Sequence, residues 1–199
     1  PVVLEKGGVQ FGFVQVTARI HDDEQPALDD RPGVAYFDPD DPKQLDEVIG
    51  AVESLRPDVD VLVFSHHLRD TGTTSVEDYQ RRLAAGCIGA GADIVYGHGA
   101  HMNQSVEVVD GRCVFHCVGQ LAFDWSMTSH HRDGLVIRLL VRNKKIVDVA
   151  VVPVFRDEEN TVYLADPNEG EGERQYLELK NSSNDVEVVV QGKEIRIRG

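Results

Sequence analysis

The chain has 199 residues, of which 41% are hydrophobic and 27% charged, and its 34 acidic side chains against 20 basic ones give a net charge of −14. This composition excludes global disorder, the length favours one domain with or without a small appendage, and no apolar stretch approaches the roughly 20 residues of a membrane-spanning helix. Because a surface this acidic repels phosphate backbones and anionic lipid, we expect no nucleic-acid or membrane-surface partner.

The first predicted elements are two strands, Val2 to Glu5 and Val9 to Thr17, joined by a turn at Gly7-Gly8. The chain opens at Pro1, with no Met and no targeting signal, and passes at once into the first strand. We therefore expect a processed or truncated chain that associates with an upstream N-terminal fragment or with a second chain.

The middle of the chain alternates helical and strand patterns after a polar acidic loop, residues 21–41, which we expect to be solvated and mobile. Helical spacing of apolar residues predicts helices from Lys43 to Leu55 and from Val76 to Ala90. Apolar runs predict strands from Val59 to Ser65 and from Asp93 to Tyr96. This alternation predicts an α/β fold in which a parallel sheet is covered by helices.

From Ser105 onward the pattern changes to hairpins, the first of which turns at Asp110-Gly111. The predicted hairpins pair Ser105–Val109 with Cys113–Val118, Gly134–Val141 with Ile146–Phe155, and Val186–Val190 with Glu194–Arg198. A short apolar run at residues 162–164 and a short helix from Glu173 to Lys180 lie between the last two hairpins.

The three cysteines, Cys87, Cys113 and Cys117, are an odd number, so at least one thiol has no partner within the chain. In a strand, Cys113 and Cys117 would be separated by roughly 13 Å at ~3.3 Å per residue. A disulfide needs Cα atoms within about 7 Å, so this pair cannot close. We expect buried, reduced cysteines, which suit a reducing compartment.

Histidines follow the ends of both predicted parallel strands: His66 and His67 after the first, His98 and His101 after the second. Ligands bind open α/β sheets just beyond the carboxyl ends of the strands, where these loops meet. Since side chains alternate along a strand, at most one of His66 and His67 faces such a site. The imidazoles are either half-exposed polar residues or ligands of a divalent ion such as Zn, Mn or Fe.

Three segments, residues 60–67, 91–101 and 111–124, resemble the CapA family of bacterial capsule and poly-gamma-glutamate synthesis proteins. They match its strand ending in His and its strand and loop G-A-D-I-V-x-G-H-x-x-H, and they resemble its segment ending in F-x-F-D, where this chain has Leu121-Ala122-Phe123-Asp124. The resemblance covers about residues 1–165 and implies the C-terminal portion of a calcineurin-like metallophosphoesterase domain. That fold is a mixed β-sandwich flanked by helices, whose N-terminal part is missing here. Residues 166–199 are expected to be a C-terminal helix and hairpin extension.

The resemblance also implies a metal centre. His67 and His98 would bind one ion and His101 the other, while Gln120 and Asp124 match the segment that would contact substrate. His66 is a candidate proton donor and His130 could reach the same face as a second catalytic residue; both are otherwise ordinary polar residues. This chain has Gly99 where the family commonly has His, and Gln120 where it has Asn. The family's earlier metal motifs are absent, so a second ion requires ligands from a missing segment.

Two functions follow from the resemblance. The first is a metal-dependent hydrolase in which metal-bound hydroxide attacks a glutamyl-type amide or a phosphoester bond of a small or polymeric substrate. The alternative is a non-catalytic accessory or binding subunit of capsule polymer synthesis or export. The missing motifs favour the accessory subunit, whereas the three histidines favour the hydrolase. The family points to the cell envelope and the unpaired cysteines to the cytoplasm, so location stays open.

Overall fold

The first 115 residues build a six-stranded sheet in the computed structural model, which describes residues 1–28, 30–123 and 132–199. Its strands are β1 (Val2–Lys6), β2 (Val9–Thr17), β3 (Val61–His67), β4 (Ile94–His98), β5 (Val106–Val109) and β6 (Arg112–Phe115). They lie in the order β1-β2-β3-β4-β6-β5, and the four from β2 to β6 in this order are parallel.

Two helices cover one face of this sheet. Helix α1 (Pro42–Leu55) begins at Asp41, whose Oδ1 accepts a hydrogen bond from the Lys43 amide at 2.9 Å. Helix α2 (Asp78–Gly89) begins at Glu77, which forms a capping box with Gln80. The core between helices and sheet includes Val48, Val52, Leu62, Phe64, Leu83 and Cys87.

The second sheet is antiparallel and comes from the last third of the chain. It contains β7 (Asp133–Arg142), β8 (Lys145–Arg156), β9 (Val162–Leu164), β10 (Glu187–Gln191) and β11 (Glu194–Arg198), and helix α3 (Gly170–Ser182) precedes β10. The order is β10-β11-β8-β7, with β9 also paired to β8.

A second core fills the space between the two sheets and includes Val61, Val63, Ile94, Leu135, Val151, Leu179 and Ile195. Strand β3 therefore contributes to both cores, because its side chains alternate between the helix side and the second sheet. That explains why its sequence is a continuous apolar run rather than an alternating one.

The predicted α/β class is confirmed, while the metallophosphoesterase sandwich in particular stays a prediction. Strands β3 and β4 extend two residues further than predicted, because the ladder between them continues to the pair His67 and His98. The boundary at residue 165 also stays a prediction, although β11, which lies after it, pairs with β8 in the second sheet.

The loop after β2 is more ordered than its composition predicts. Bridges join Thr17 to Tyr36 and Pro26 to Val34, and Phe37 is 1% exposed in the helix-side core. The second half of the loop is therefore less solvated than expected at Phe37, because it folds back beside the end of β2, and its mobility stays a prediction.

The three cysteines are free and buried, as expected. Burial raises the pKa of Cys87 to about 12 and that of Cys113 to about 11, which makes both thiols poor nucleophiles. In the part of the chain that the structure describes, no helix is long and apolar enough to cross a membrane.

Candidate functional site

A cavity of about 370 Å³ lies at the carboxyl ends of β2, β3 and β4. The strands contribute Gln15, Thr17, His67 and His98, and the loop after β2 contributes Arg19, His21, Glu24, Val34 and Ala35. This is the edge at which open α/β sheets bind ligands.

His67 and His98 are brought together by strand register. They are directly paired across the parallel ladder of β3 and β4, so both side chains leave the sheet on the same face. Their ring centroids are 5.1 Å apart and the rings meet edge to face at 88°. The predicted meeting of these two histidines is thus observed in the structure.

The ring of His67 is fixed by its neighbours. Its Nδ1 lies 2.9 Å from the carbonyl oxygen of Leu68, an acceptor, so Nδ1 carries the proton and Nε2 keeps its lone pair. Gly99, with φ of +101°, packs its backbone on this ring, and a Cβ there would lie 2.5 Å from His67 Cε1. The family's histidine therefore cannot replace Gly99 while His67 keeps this position.

Both imidazoles are neutral at pH 7. Burial, with a smaller effect of His67, lowers the pKa of His98 to about 4. Burial also lowers the pKa of His67, while its hydrogen bond to Leu68 opposes that shift. A neutral imidazole is the form that binds a metal ion.

His66 lies on the other face of β3 and is 1% exposed. Its ring stacks on Phe64 with centroids 6.0 Å apart, and burial lowers its pKa to about 3. Neither ring nitrogen has a hydrogen-bond partner within the described ranges. The catalytic role of His66 stays a prediction, which this burial disfavours because the ring does not line the cavity.

His101 does not line the cavity with His67 and His98. Its ring stacks on Phe123, with centroids 5.2 Å apart and an interplanar angle of 23°. Among residues 1–28, 30–123 and 132–199, no three His, Cys, Asp or Glu side chains form a group that could hold a metal ion. The three-histidine metal centre therefore stays a prediction, of which the structure brings two members into contact.

Gln120 is 6% exposed, and its Nε2 donates to the carbonyl oxygen of His101 at 3.4 Å. Its backbone amide donates to the carbonyl oxygen of Asp133 at 2.8 Å. Its Oε1 has no hydrogen-bond partner among the described residues, and its role in substrate binding stays a prediction. Asp124 and His130 lie outside the described residues.

Sequence reasoning missed the cavity wall formed by Arg19, His21 and Glu24. The Glu24 carboxylate accepts a hydrogen bond from the His21 amide at 3.0 Å, which closes this part of the loop. The position of the loop could have indicated this wall, because the loop follows the carboxyl end of a parallel strand, as the histidine-bearing loops do.

A larger cleft, of about 810 Å³, lies at the opposite ends of β3 and β4. Its charged residues largely neutralise one another: Arg56 pairs with Asp93 at 2.6 Å and Lys144 with Asp60 at 3.3 Å. The smaller cavity is the better candidate site, since it contains the neutral imidazole pair.

Known proteins resemble this chain over part of its length. A family model described as bacterial capsule synthesis protein PGA_cap matches residues 1–125. The PGA biosynthesis protein CapA of Bacillus subtilis (strain 168) is 30% identical over 112 residues, which are 56% of this chain and 28% of that protein. The capsule biosynthesis protein CapA of Bacillus anthracis is 27% identical over 130 residues, which are 64% of this chain and 30% of that protein.

The chain thus spans less than a third of the length of either Bacillus relative. It is also similar to the crystal structure of a hypothetical protein from Thermus thermophilus, with 19% identity and a TM-score of 0.48. That similarity covers 82% of this chain and 61% of the other.

Proposed function

Because the chain belongs to the PGA_cap family of bacterial capsule synthesis proteins, we propose that it takes part in making a capsule polymer, as a metal-dependent hydrolase. The cavity that contains His67 and His98 would be its functional site. One observation carries this proposal: two neutral imidazoles meet edge to face, 5.1 Å between centroids, at the carboxyl ends of adjacent parallel strands.

The chemistry of the imidazole pair fits one side of a divalent metal centre. Nε2 of His67 keeps its lone pair because Nδ1 donates to Leu68, an arrangement typical of histidine ligands. A bound divalent ion would lower the pKa of a coordinated water from 15.7 toward about 7 and polarise a carbonyl or phosphoryl oxygen. His67 and His98 would hold this ion, and the Gln15 side-chain amide lies beside them, with its Nε2 3.5 Å from His98 Nε2.

His101 stays the predicted ligand of a second ion, and the remaining ligands would come from a segment beyond this sequence or from a second chain. We propose the calcineurin-like metallophosphoesterase sandwich as the architecture of the complete domain on the same grounds. The bond cleaved would be a glutamyl-type amide or a phosphoester, since the ion would activate water toward either.

The second candidate is a non-catalytic accessory subunit of polymer synthesis or export. One observation favours it: the described part of the chain offers no third His, Cys, Asp or Glu ligand grouped with the imidazole pair. Such a subunit would keep the cavity as a binding site without the chemistry of an ion.

Metal titration of single-histidine variants separates the two candidates. We expect His67→Ala and His98→Ala each to weaken Zn²⁺ or Mn²⁺ binding by at least roughly tenfold. Loss of a group that only hydrogen-bonds to a metal ligand already costs about this much. His101→Ala tests the predicted third ligand directly. Substoichiometric metal in the wild type, unchanged in His98→Ala, would favour the accessory subunit.

Gly99→Ala tests the imidazole pair without removing a ligand. The added Cβ, 2.5 Å from His67 Cε1, would displace the ring, so we expect weaker metal binding and shifted His67 ring signals in NMR spectra. Gly111→Ala is the matched control, because Gly111 also has a positive φ, +72°, but a Cβ there meets nothing within 4 Å. Equal effects of the two substitutions would mean that only backbone strain matters.

A further inference from the structure

We propose that Arg19 is the specificity-determining residue of this site and binds an acidic group of the substrate beside the His67–His98 pair. This inference rests on the proposed function for the location of the reacting bond. It adds the residue that selects the substrate, and the structure supports it by position, by charge and by geometry.

Arg19 is held next to the histidines by its backbone. The Ala18 amide donates to the carbonyl oxygen of His67 at 2.9 Å, which ties the end of β2 to the end of β3. Thr17 Oγ1 donates to the carbonyl oxygen of Arg19 at 2.7 Å and lies 3.1 Å from its amide. Arg19 therefore enters the cavity wall from an ordered turn.

The charge of Arg19 has no ionic partner in the described ranges: no carboxylate lies within ion-pair distance of its guanidinium. The chain has 34 acidic residues, and buried or half-buried arginines elsewhere use them, as Arg56 does with Asp93 and Arg174 with Asp133. Glu24 lines the same cavity, yet its carboxylate accepts the His21 amide instead. Arg19, a half-buried residue that lines the same cavity as the two neutral rings, is thus available to an anionic ligand.

The guanidinium is suited to one kind of ligand. Its planar fork of N–H donors matches two oxygens of a carboxylate or of a phosphate, which one ammonium group cannot do in the same way. The acidic group would be the free carboxylate of a glutamyl unit or the non-bridging oxygens of a phosphoester. With that group on Arg19, the neighbouring bond would lie toward the imidazole pair.

Binding measurements on the intact protein test this inference with three probes: a γ-linked glutamate tetramer, the same tetramer with its α-carboxylates amidated, and inorganic phosphate. We expect an acidic probe to bind and Arg19→Gln to weaken that binding about tenfold, as for loss of a charge-assisted hydrogen bond. The amidated tetramer should bind weakly to both forms.

Arg31→Gln is the matched control, because Arg31 is an exposed residue of the same loop that does not line the cavity. It should leave all three affinities unchanged. Arg19→Lys keeps the charge but not the fork of N–H donors, so its affinity for the acidic probes should lie between those of the wild type and Arg19→Gln. This intermediate value would show that the loss in Arg19→Gln does not come from a folding defect.

The two acidic probes identify the source of the anion. An Arg19-dependent affinity for the glutamate tetramer supports a carboxylate substrate, and one for phosphate alone supports a phosphoester. The inference is overturned if Arg19→Gln binds the acidic probes as the wild type does, or if neither probe binds the wild type. Arg19-dependent binding without hydrolysis would refute the proposed reaction but not this inference. Hydrolysis that Arg19→Gln leaves unchanged would refute this inference but not the proposed reaction.

Discussion

At the scale of single residues, the buried histidines of this protein are kept neutral by their surroundings. His116 is 0% exposed, and burial lowers its pKa even though Glu107, whose carboxylate is 3.2 Å from His116 Nε2, opposes that shift. Arg81 pairs with the other oxygen of Glu107 at 2.9 Å. Nε2 of the neutral ring faces Glu107, but neither ring nitrogen of His116 has a hydrogen-bond partner among the described residues.

This burial predicts a loss of stability in mild acid. In the unfolded chain His116 binds a proton near its ordinary pKa of 6.5, whereas in the folded protein it does so only at lower pH. The unfolded state therefore holds more protons just below pH 6.5. As the pH is lowered through this range, the free energy of unfolding decreases, by up to about 1.4 kcal/mol per pH unit for one proton.

We expect His116→Gln, which keeps a donor near Glu107 but does not titrate, to lose less stability than the wild type between pH 7 and pH 5. Urea unfolding at both pH values measures the difference. Equal losses in the two proteins would mean that other groups account for the acid sensitivity.

At the scale of elements, most helices and strands could be predicted because their apolar spacing is regular. The ends of β3 and β4 could not, since only the ladder between them shows that His67 and His98 remain in the strands. The contribution of Arg19 was hidden for a similar reason. Composition shows that its loop is polar, but the packing of the loop beside β3 depends on contacts distant in sequence.

Helix α3 is fixed to β7 by a two-pronged ion pair. Arg174 donates to the two carboxylate oxygens of Asp133 at 2.7 and 2.9 Å, and the Asp133 side chain is 3% exposed. Breaking one partner of a buried pair costs more than breaking an exposed pair, because the remaining charge stays in a poorly solvated place.

We expect Arg174→Met to lower the free energy of unfolding by roughly 3 kcal/mol. Lys43→Met is the control, since Lys43 and Glu47 form an exposed pair at 3.7 Å, with 83% and 63% of their side chains accessible, and should cost no more than about 0.5 kcal/mol. Urea titrations of both variants provide the comparison. Similar costs for the two would indicate that the Asp133 pair adds little to the docking of α3.

At the scale of the whole molecule, the six-stranded sheet is shared by two cores, so neither half of the chain buries its apolar residues alone. The region after residue 165 supplies four buried side chains to the core between the sheets: Leu179, Val188, Ile195 and Ile197, each at most 7% exposed. Strand β11 also pairs with β8 through Ile195 and Val151. This region therefore acts as part of the second sheet.

Truncation after residue 165 tests whether that region is an extension or an integral part of the fold. Burying four such side chains contributes roughly 6–12 kcal/mol, which is comparable to the 5–15 kcal/mol that stabilises a typical domain. We expect residues 1–165 to lose the cooperative unfolding transition in urea followed by circular dichroism. Deletion of residues 1–6 is the control: β1 is exposed at all five positions and pairs only with β2, so a cooperative transition should persist. A sharp transition in the 1–165 fragment would instead establish residues 166–199 as a separable extension, because the core between the sheets would then hold without them.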